Sequence, residues 1–380
     1  MKYVAASMMR HVAADGISPP WQVFEWYLVE GLVRTAEDSQ RLGLPGRLKA
    51  ERAIADAVPL SANRYLKTPT VFGFHGVYRL LARTLGIESG GRLGETGYEL
   101  LSIWSREQGL DGFIGSGGGP GQSDRTRLIE AVKAGLEKGA TARNSTWAGW
   151  SFFARHLAPS QVKPQEAVFI KASLFNDPKG FRREIMEFLV SLTGRKVWEA
   201  SGSEREFYRR LRNNADAELA ELLDAIDAFE NFSRLCQDAF QDCLVEMTRQ
   251  GGSKTSPKAL ASLPSVQLAA NRVPEAFTKA VEKLVPLDES ARCIETFASL
   301  VESDNAEDWV ERLLEHHCTI QRRKPPNGKQ PWFERFNDGS VIIRPLYRTD
   351  EPGAQDESYV HLFRVRSLWQ FALDLNLVKQ

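Results

Sequence analysis

Residues 72–97 read FGFHGVYRLLARTLGIESGGRLGETG, a helical pattern followed by a turn-rich end. The first half predicts an amphipathic helix from Phe72 to Leu85, because apolar residues recur there at steps of three and four. Gly86 is a helix-stop signal, and the three glycines after it predict a short two-stranded turn around Arg92. A further helical pattern runs from Glu95 to Gln108. The stretch therefore predicts a helix, a small β-turn and a second helix in succession.

Upstream of this stretch, the sequence predicts two more helices. Residues 21–41 place apolar side chains at helical steps after the pair Pro19-Pro20, which suits a helix start. Residues 47–58 predict a shorter helix that is ended by Pro59. The predicted order across residues 21–108 is thus helix, helix, turn, helix, short wing, helix.

Charge is segregated along a chain whose total is zero, with 49 basic and 49 acidic residues. Segment 47–92 contains eight basic and three acidic residues, and segment 318–348 contains seven basic and two acidic ones. Each has a local net charge of +5 and could meet phosphate groups. Segment 199–246, with twelve acidic and five basic residues, suits solvent or a basic protein partner instead.

The element order across residues 21–108 resembles the winged helix-turn-helix superfamily of DNA-binding proteins, in particular MarR- and PadR-like regulators. The helix predicted at 72–85 matches that family's recognition helix. The residues that look like its return from the wing to the final helix are Leu93, Glu95, Thr96, Gly97 and Leu100. The resemblance covers less than a third of the chain, and the run 67–72 lengthens the turn into the recognition helix beyond the family's pattern.

This resemblance implies a DNA interface in the N-terminal third of the chain. Arg79 and Arg83 would enter the major groove, while Arg64, Lys67 and Arg92 would contact phosphates. Many winged helices also dock proteins, so a protein interface on the same unit stays open as an alternative. A plain helical domain with solvated arginines is the third interpretation.

The glycine-rich run at 115–121 predicts an exposed linker, since it lacks the Lys-Ser or Lys-Thr ending of a phosphate-binding loop. A second linker is predicted at 253–257. The predicted fold class is mainly α and multi-domain. The predicted domains are a winged helix at 1–112, a linker at 113–124, a helical domain at 125–252 and an α+β module at 258–380.

The helical domain contains a long acidic pattern from Glu204 to Arg249, which predicts one helix or two helices joined near Asn213 and Asn214. Beyond it, residues 258–317 predict several short helices, which are separated by prolines. These prolines are Pro264, Pro274 and Pro286.

The last sixty residues predict a β-hairpin and a final helix. The runs 332–336 and 341–347 flank an Asn-Asp-Gly-Ser turn, which favours a hairpin. The final helix is predicted at 360–375, and we expect the hairpin to pack on its apolar face near Phe363, Trp369 and Phe371.

A basic cluster adjoins this hairpin. Its residues are Arg322, Arg323, Lys324, Lys329, Arg335 and Arg344. Beside Trp332 and Phe333, such cations suit a phosphate backbone or single-stranded bases. The alternative is a solvated loop, with both aromatic side chains buried under the last helix.

No catalytic, metal-binding or cofactor-binding residue is predicted. The four cysteines form no CxxC pair, and His316-His317-Cys318 has no further ligand at zinc spacing. A nuclease site would need converging carboxylates near a cation, and the nearest set is Lys329, Glu334 and Asp338. No apolar stretch is long enough to cross a membrane and residues 1–11 lack a secretory pattern, so we expect a cytoplasmic protein.

These observations lead to one main hypothesis and two alternatives. The main hypothesis is a non-enzymatic DNA-binding protein, either a regulator or an accessory subunit of a bacterial DNA-handling or phage-defence assembly. The roughly 270 residues beyond the winged helix favour the accessory subunit, which would also bind a protein partner. The alternatives are a protein scaffold that docks through the winged helix and the acidic helix, and a metal-dependent nuclease.

Overall fold

The computed structural model describes residues 12–41, 43–115, 117–324, 327–362 and 364–378. The fold is 65% helix and 4% strand, which confirms the prediction of a mainly α protein. The described residues form two compact units, 12–183 with 373–378, and 184–372.

The first unit contains eight helices along its described residues and one two-stranded sheet. The helices are α1 (Pro20–Thr35), α2 (Arg47–Ala55), α3 (Pro69–Phe72), α4 (Phe74–Thr84), α5 (Glu95–Glu107), α6 (Pro120–Lys138), α7 (Trp150–Leu157) and α8 (Pro164–Phe175). The strands β1 (Glu88–Ser89) and β2 (Arg92–Leu93) pair antiparallel, with Glu88 opposite Leu93. Helix α9 (Phe181–Val190) follows at the boundary between the units.

The second unit is a set of helices with a hairpin. Its elements are α10 (Leu192–Ser201), α11 (Glu204–Arg212), α12 (Ala217–Arg249), α13 (Pro257–Ala261), α14 (Pro264–Leu284), α15 (Ser290–Phe297), α16 (Ala306–Arg323), β3 (Phe333–Arg335), β4 (Val341–Ile343) and α17 (Val365–Asp374). Short 3-10 helices lie in both units, at Asp38–Arg41, Ala62–Arg64, Pro159–Gln161, Val285–Leu287, Ala298–Leu300 and Pro345–Tyr347.

Helix α1 is the centre of the first unit. Apolar residues surround it on all sides, and every residue from Pro20 to Val33 except Trp21 is buried. A helix that is buried on all its faces must be enclosed by other elements, and α2, α6 and α7 pack against α1. Gly31 permits α7 to pack closely on α1, because a Cβ at this position would lie 2.2 Å from the Phe153 ring of α7.

The bounds of this unit differ from the predicted domains. Leu128 and Val132 of α6 belong to the same core as Val23 of α1, so residues on both sides of the predicted linker at 113–124 share one core. The connection folds back on itself, since Gly121 N–H donates to the Asp111 carbonyl at 2.8 Å. Glycine content predicts an irregular connection, but it does not tell whether the flanking helices pack together.

The core of the second unit lies between α12, α14, α16 and the hairpin. The long acidic pattern forms two helices, which is one of the two arrangements predicted for it. Asn213 caps the end of α11, and the Asp216 side chain accepts the Leu219 N–H at the start of α12. A helix N-cap within the pattern therefore separates α11 from α12.

The predicted break at Pro274 was wrong, because α14 runs through this proline. One face of α14 is buried against α12 and includes Val266, Val273 and Phe277. The burial of this face offsets the backbone hydrogen bond that proline cannot donate.

The hairpin is confirmed, but its expected packing partner is not. Phe333 pairs with Ile343 across the two antiparallel strands. Both side chains are buried in the core formed with α12, α14 and α16, and no described residue of α17 belongs to that cluster. The outer edge of β4 is covered by Thr255, whose backbone exchanges two 2.9 Å hydrogen bonds with Val341. Phe363, one of the expected contacts, lies outside the described residues.

The acidic side chains of α12 hold a later segment of the chain. Asp242 accepts the Gly353 N–H at 2.8 Å, and Asp238 accepts those of Ala354 and Gln355, both at 3.1 Å. Farther along, Glu230 accepts backbone N–H groups of residues 360 and 361 at 2.7 and 3.1 Å. Much of the negative charge predicted to face solvent or a partner is therefore used within the unit.

Pro274 gives a direct test of how α14 is stabilised. We expect Pro274→Ala to raise the free energy of unfolding by about 2 kcal/mol, because alanine restores the missing N–H and is the better helix former. Urea unfolding monitored by circular dichroism measures this change. The matched control is Pro264→Ala at the first residue of α14, where proline is well placed and its removal should not stabilise. Destabilisation by Pro274→Ala would contradict the account.

Candidate functional site

The predicted recognition helix is interrupted at Gly73, which separates α3 from α4. Glu25, buried on α1, explains this break. A Cβ at Gly73 would lie 2.2 Å from Glu25 Oε1, and the His75 N–H donates to Glu25 Oε2 at 3.4 Å. The Glu25 carboxylate therefore sits at the N-terminus of α4, where the helix dipole favours negative charge.

Glu25 is further held by Tyr65, whose hydroxyl donates to Glu25 Oε1 at 2.8 Å. Burial raises the pKa of Glu25, and the hydrogen bonds from Tyr65 and from the backbone at His75 and Phe74 oppose that rise. Burial and the neighbouring Glu25 raise the pKa of Tyr65, so its hydroxyl stays a donor. The start of α4 is thus fixed to the central helix.

Arg79 and Arg83 of α4 both face Glu88 in β1, the first strand of the β1–β2 hairpin that occupies the place of the predicted wing. Their Nε atoms lie 3.5 and 3.4 Å from Glu88 Oε1. The Glu88 side chain has no exposed surface, whereas the arginine side chains are 42% and 49% exposed. The two residues expected in the major groove are therefore also the ion-pair partners that join α4 to β1.

The other predicted phosphate contacts lie in the segments before and after α4. Arg64 ends a 3-10 helix, Lys67 precedes α3, and Arg92 lies on β2. All three residues are exposed. Within the described part of the chain none of them forms an ion pair, so their charges are open to solvent.

The C-terminal basic cluster is partly neutralised by α16. Arg322 and Arg335 both bind Glu315, at 3.0 and 3.2 Å. Arg344 pairs with Glu334 at 3.0 Å. The remaining cations of the cluster are the exposed Arg323 and Lys329 and the half-buried Lys324. The local net charge of segment 318–348 leaves out Glu315, which lies less than one helical turn before Cys318 and pairs with two of the arginines.

The aromatic residues beside this cluster are not a free stacking surface. Phe333 is buried in the core of the second unit. Trp332 is half-buried and stacks on Tyr347, with ring centroids 5.1 Å apart. Burial of the aromatics was one of the two interpretations, but they pack on α12 and α16 rather than under the last helix.

The run His316-His317-Cys318 packs on the core of the second unit, with both histidines half-buried. Cys318 is buried, and His317 stacks on Phe240 with 4.7 Å between ring centroids. His317 Nε2 accepts the Trp332 N–H at 3.3 Å. Burial, together with the charges of Lys324 and His316, lowers the pKa of His317 to about 4. Among the described residues no group of three or more side chains could hold a metal ion.

The residues considered for a nuclease have separate partners. Asp338 accepts hydrogen bonds from Ser340 and binds Lys254 at 3.2 Å, and these contacts lower the pKa of Asp338 to about 2. Glu334 pairs with Arg344. The two carboxylates therefore stabilise a turn and a strand rather than a common site.

Sequence reasoning missed a cavity of about 400 Å³ in the first unit. Its walls come from α1, α4, the wing, α5, α7 and the start of α8. Most lining residues are aromatic or aliphatic, and among the polar ones are His75, Arg79, His156 and Glu166. No local motif could reveal it, because its walls belong to segments up to about 140 residues apart.

Comparison of the chain with protein-family models, with curated proteins and with solved structures gave no match. The winged-helix resemblance thus depends on the residues and element order of this chain alone. Every helix in the described part of the chain is too short or too polar to span a bilayer.

The ion pairs of Glu88 predict a stability effect. Arg79→Ala with Arg83→Ala should lower the free energy of unfolding by about 1–3 kcal/mol, because the fully buried Glu88 carboxylate loses both of these ion pairs. Adding Glu88→Gln should recover part of the loss. Urea unfolding measures both changes.

The matched control is Arg64→Ala with Arg92→Ala, which removes two exposed cations from the same segment. We expect it to change stability by less than about 0.5 kcal/mol. Equal effects of the two double variants would show that Glu88 does not need its arginines.

His317 predicts a dependence of stability on pH. Its pKa of about 4 in the folded protein lies below the ordinary value of 6.5, so the unfolded chain binds the proton first as pH falls. The stabilisation is complete above pH 6.5 and is lost as pH falls towards about 4. In His317→Gln, whose side-chain oxygen can still accept the Trp332 N–H, the unfolding midpoint in urea should fall less over this range. An unchanged pH profile would exclude His317 as a source of acid sensitivity.

Proposed function

We propose that the first unit binds duplex DNA through α4, the wing and the loop before α3. The observation that carries the proposal is a set of exposed cations before and after α4 that form no ion pair with any described residue, namely Arg64, Lys67 and Arg92. The order of α1, α2, α3, α4, the wing and α5 supports it, because in winged-helix proteins this order places such cations beside a helix in the major groove.

The ion pairs with Glu88 limit what Arg79 and Arg83 contribute. Their Nε atoms face the buried Glu88 carboxylate, so the two arginines primarily link α4 to β1 through ion pairs. The remaining cations reach phosphates, and phosphate contacts carry no base information. The proposed binding is therefore strongly dependent on salt and tolerant of DNA sequence.

A second candidate function is protein docking on the same helices. Phe72 of α3 and Leu80 of α4 are 64% and 78% exposed, and Val71 and Val77 are also exposed. Single exposed apolar residues are common, but several on two adjoining helices favour a partner surface. The acidic helix α12 is not part of this candidate, since Glu230, Asp238 and Asp242 hold its own chain.

The test of DNA binding is the triple variant Arg64→Ala, Lys67→Ala, Arg92→Ala. We expect weaker binding to duplexes of any sequence, because each residue neutralises a phosphate. The slope of log affinity against log salt should fall by up to about 2.7, at about 0.9 for each lost phosphate contact. Fluorescence anisotropy with a labelled duplex across a potassium chloride titration measures both quantities.

The charge-matched control is Lys133→Ala, Lys138→Ala, Arg155→Ala, which removes three exposed cations from α6 and α7. It should keep the wild-type slope. If the wild-type chain fails to bind duplex DNA at low salt, or if both triple variants behave alike, DNA binding by this surface is excluded. Loss of a protein complex on replacing Phe72 and Leu80 by serine would then support the docking function.

A further inference from the structure

The cavity of the first unit has the size and composition of a small-molecule site. Its volume of about 400 Å³ falls in the range of ligand pockets, whereas folded interiors hold few voids larger than a water molecule. Aromatic side chains form much of the wall, among them Trp21, Tyr78, Trp104 and Phe152. These rings suit a planar apolar ligand and present π-faces that attract cations.

The protonation of His156 follows from its hydrogen bonds. Gln108 Nε2 donates to the Gln161 carbonyl at 2.8 Å, and a carbonyl can only accept. The other end of this amide, Oε1, therefore faces His156 Nδ1 at 3.1 Å. Nδ1 must carry the proton, and Nε2 is left as an acceptor. Burial and the charge of Arg155 lower the pKa of His156, so the ring stays neutral at pH 7.

Glu166 is the second acceptor in the cavity wall. The N-terminus of α8 is capped by Glu107, whose carboxylate accepts the N–H groups of Gln165 and Glu166 at 2.9 and 2.8 Å. Glu166 lines the cavity, and its half-buried side chain forms no ion pair with any described residue. Burial raises the pKa of Glu166, a hydrogen bond from the Lys163 backbone opposes this, and Glu107 adds to it. A cation placed here would offset that cost.

Among the described residues that line the cavity, Arg79 is the one arginine, and it is directed to Glu88. Acceptors and π-faces therefore outweigh cationic donors in this cavity, which disfavours a carboxylate ligand. We propose that the cavity is a binding site for an aromatic amine, with its ring between the aromatic side chains and its ammonium group donating to Glu166. His156 Nε2 is a second acceptor for an N–H or O–H group of the ligand.

The charge preference is tested with two indoles that share a ring and differ in the charge of the side chain, tryptamine and indole-3-propionate. Isothermal titration calorimetry on the full chain at neutral pH measures their affinities. Tryptamine should bind at least tenfold more tightly than indole-3-propionate. Glu166→Gln should weaken tryptamine about tenfold and reduce the preference, and Glu99→Gln, an exposed residue of α5, is the control that leaves both unchanged.

The location is tested by filling the cavity. Ala82→Phe places a ring into the wall from α4 and should abolish binding of tryptamine, whereas Thr84→Phe on the exposed side of α4 should not. Circular dichroism and urea unfolding establish that each variant is folded. The proposal is overturned if tryptamine does not bind at millimolar concentration, if indole-3-propionate binds equally well, or if Ala82→Phe binds as the wild type does.

Discussion

Buried carboxylates that accept backbone N–H groups join distant parts of this chain, and both units depend on them. Taking a carboxylate out of water costs several kcal/mol unless hydrogen bonds or cations replace the lost solvation. For Glu25, the lost solvation is replaced by hydrogen bonds from the backbone at the start of α4 and from the Tyr65 hydroxyl.

Buried carboxylates of the second unit are hydrogen-bonded in the same way. Glu204 Oε1 accepts the Val365 N–H at 2.8 Å, at the start of α17. Glu230 and Asp238 of α12 hold the segment between the hairpin and α17. Each contact links residues at least 40 positions apart and fixes a helix end or an extended segment that has little core of its own.

Contacts of the same kind position one wall of the cavity. Helix α4 has no buried residue, so apolar packing alone does not position it. It is held at its N-terminus by Glu25, and Arg79 and Arg83 fix its later turns to Glu88. These polar contacts hold α4 at two points, and the cavity lies between α4, α1 and α5. The α4 side of the cavity wall is therefore positioned by polar contacts rather than by close apolar packing, and the space beside it is large enough to admit a ligand.

The sequence predicted the positions of helices and strands better than the contacts between them. Helical spacing located α4, α5 and α12, and the Asn-Asp-Gly-Ser turn located the hairpin, because these signals are local. It was wrong about Pro274, since a local helix breaker was outweighed by burial against α12, a contact that no nearby residue indicates. It was wrong about the packing of the hairpin for the same reason. The cavity and the role of Glu25 could not be predicted: Glu25 stands in an apolar run as an ordinary acidic residue, and its partner Tyr65 is 40 residues away.

The net charge counted along a segment of sequence differs from the charge that the folded protein offers to a ligand, because ion pairs neutralise part of the basic residues. Segment 47–92 has eight basic residues, but Arg79 and Arg83 balance a buried glutamate and Arg47 pairs with Glu51. In the C-terminal cluster, Arg322, Arg335 and Arg344 are neutralised by glutamates of α16 and β3. A surface with a few open cations makes few phosphate contacts, so its affinity for DNA should be modest at physiological salt. Under the proposed DNA binding, such a surface needs a second contact to be retained on DNA, and a partner protein docked on the exposed apolar residues of α3 and α4 would supply it.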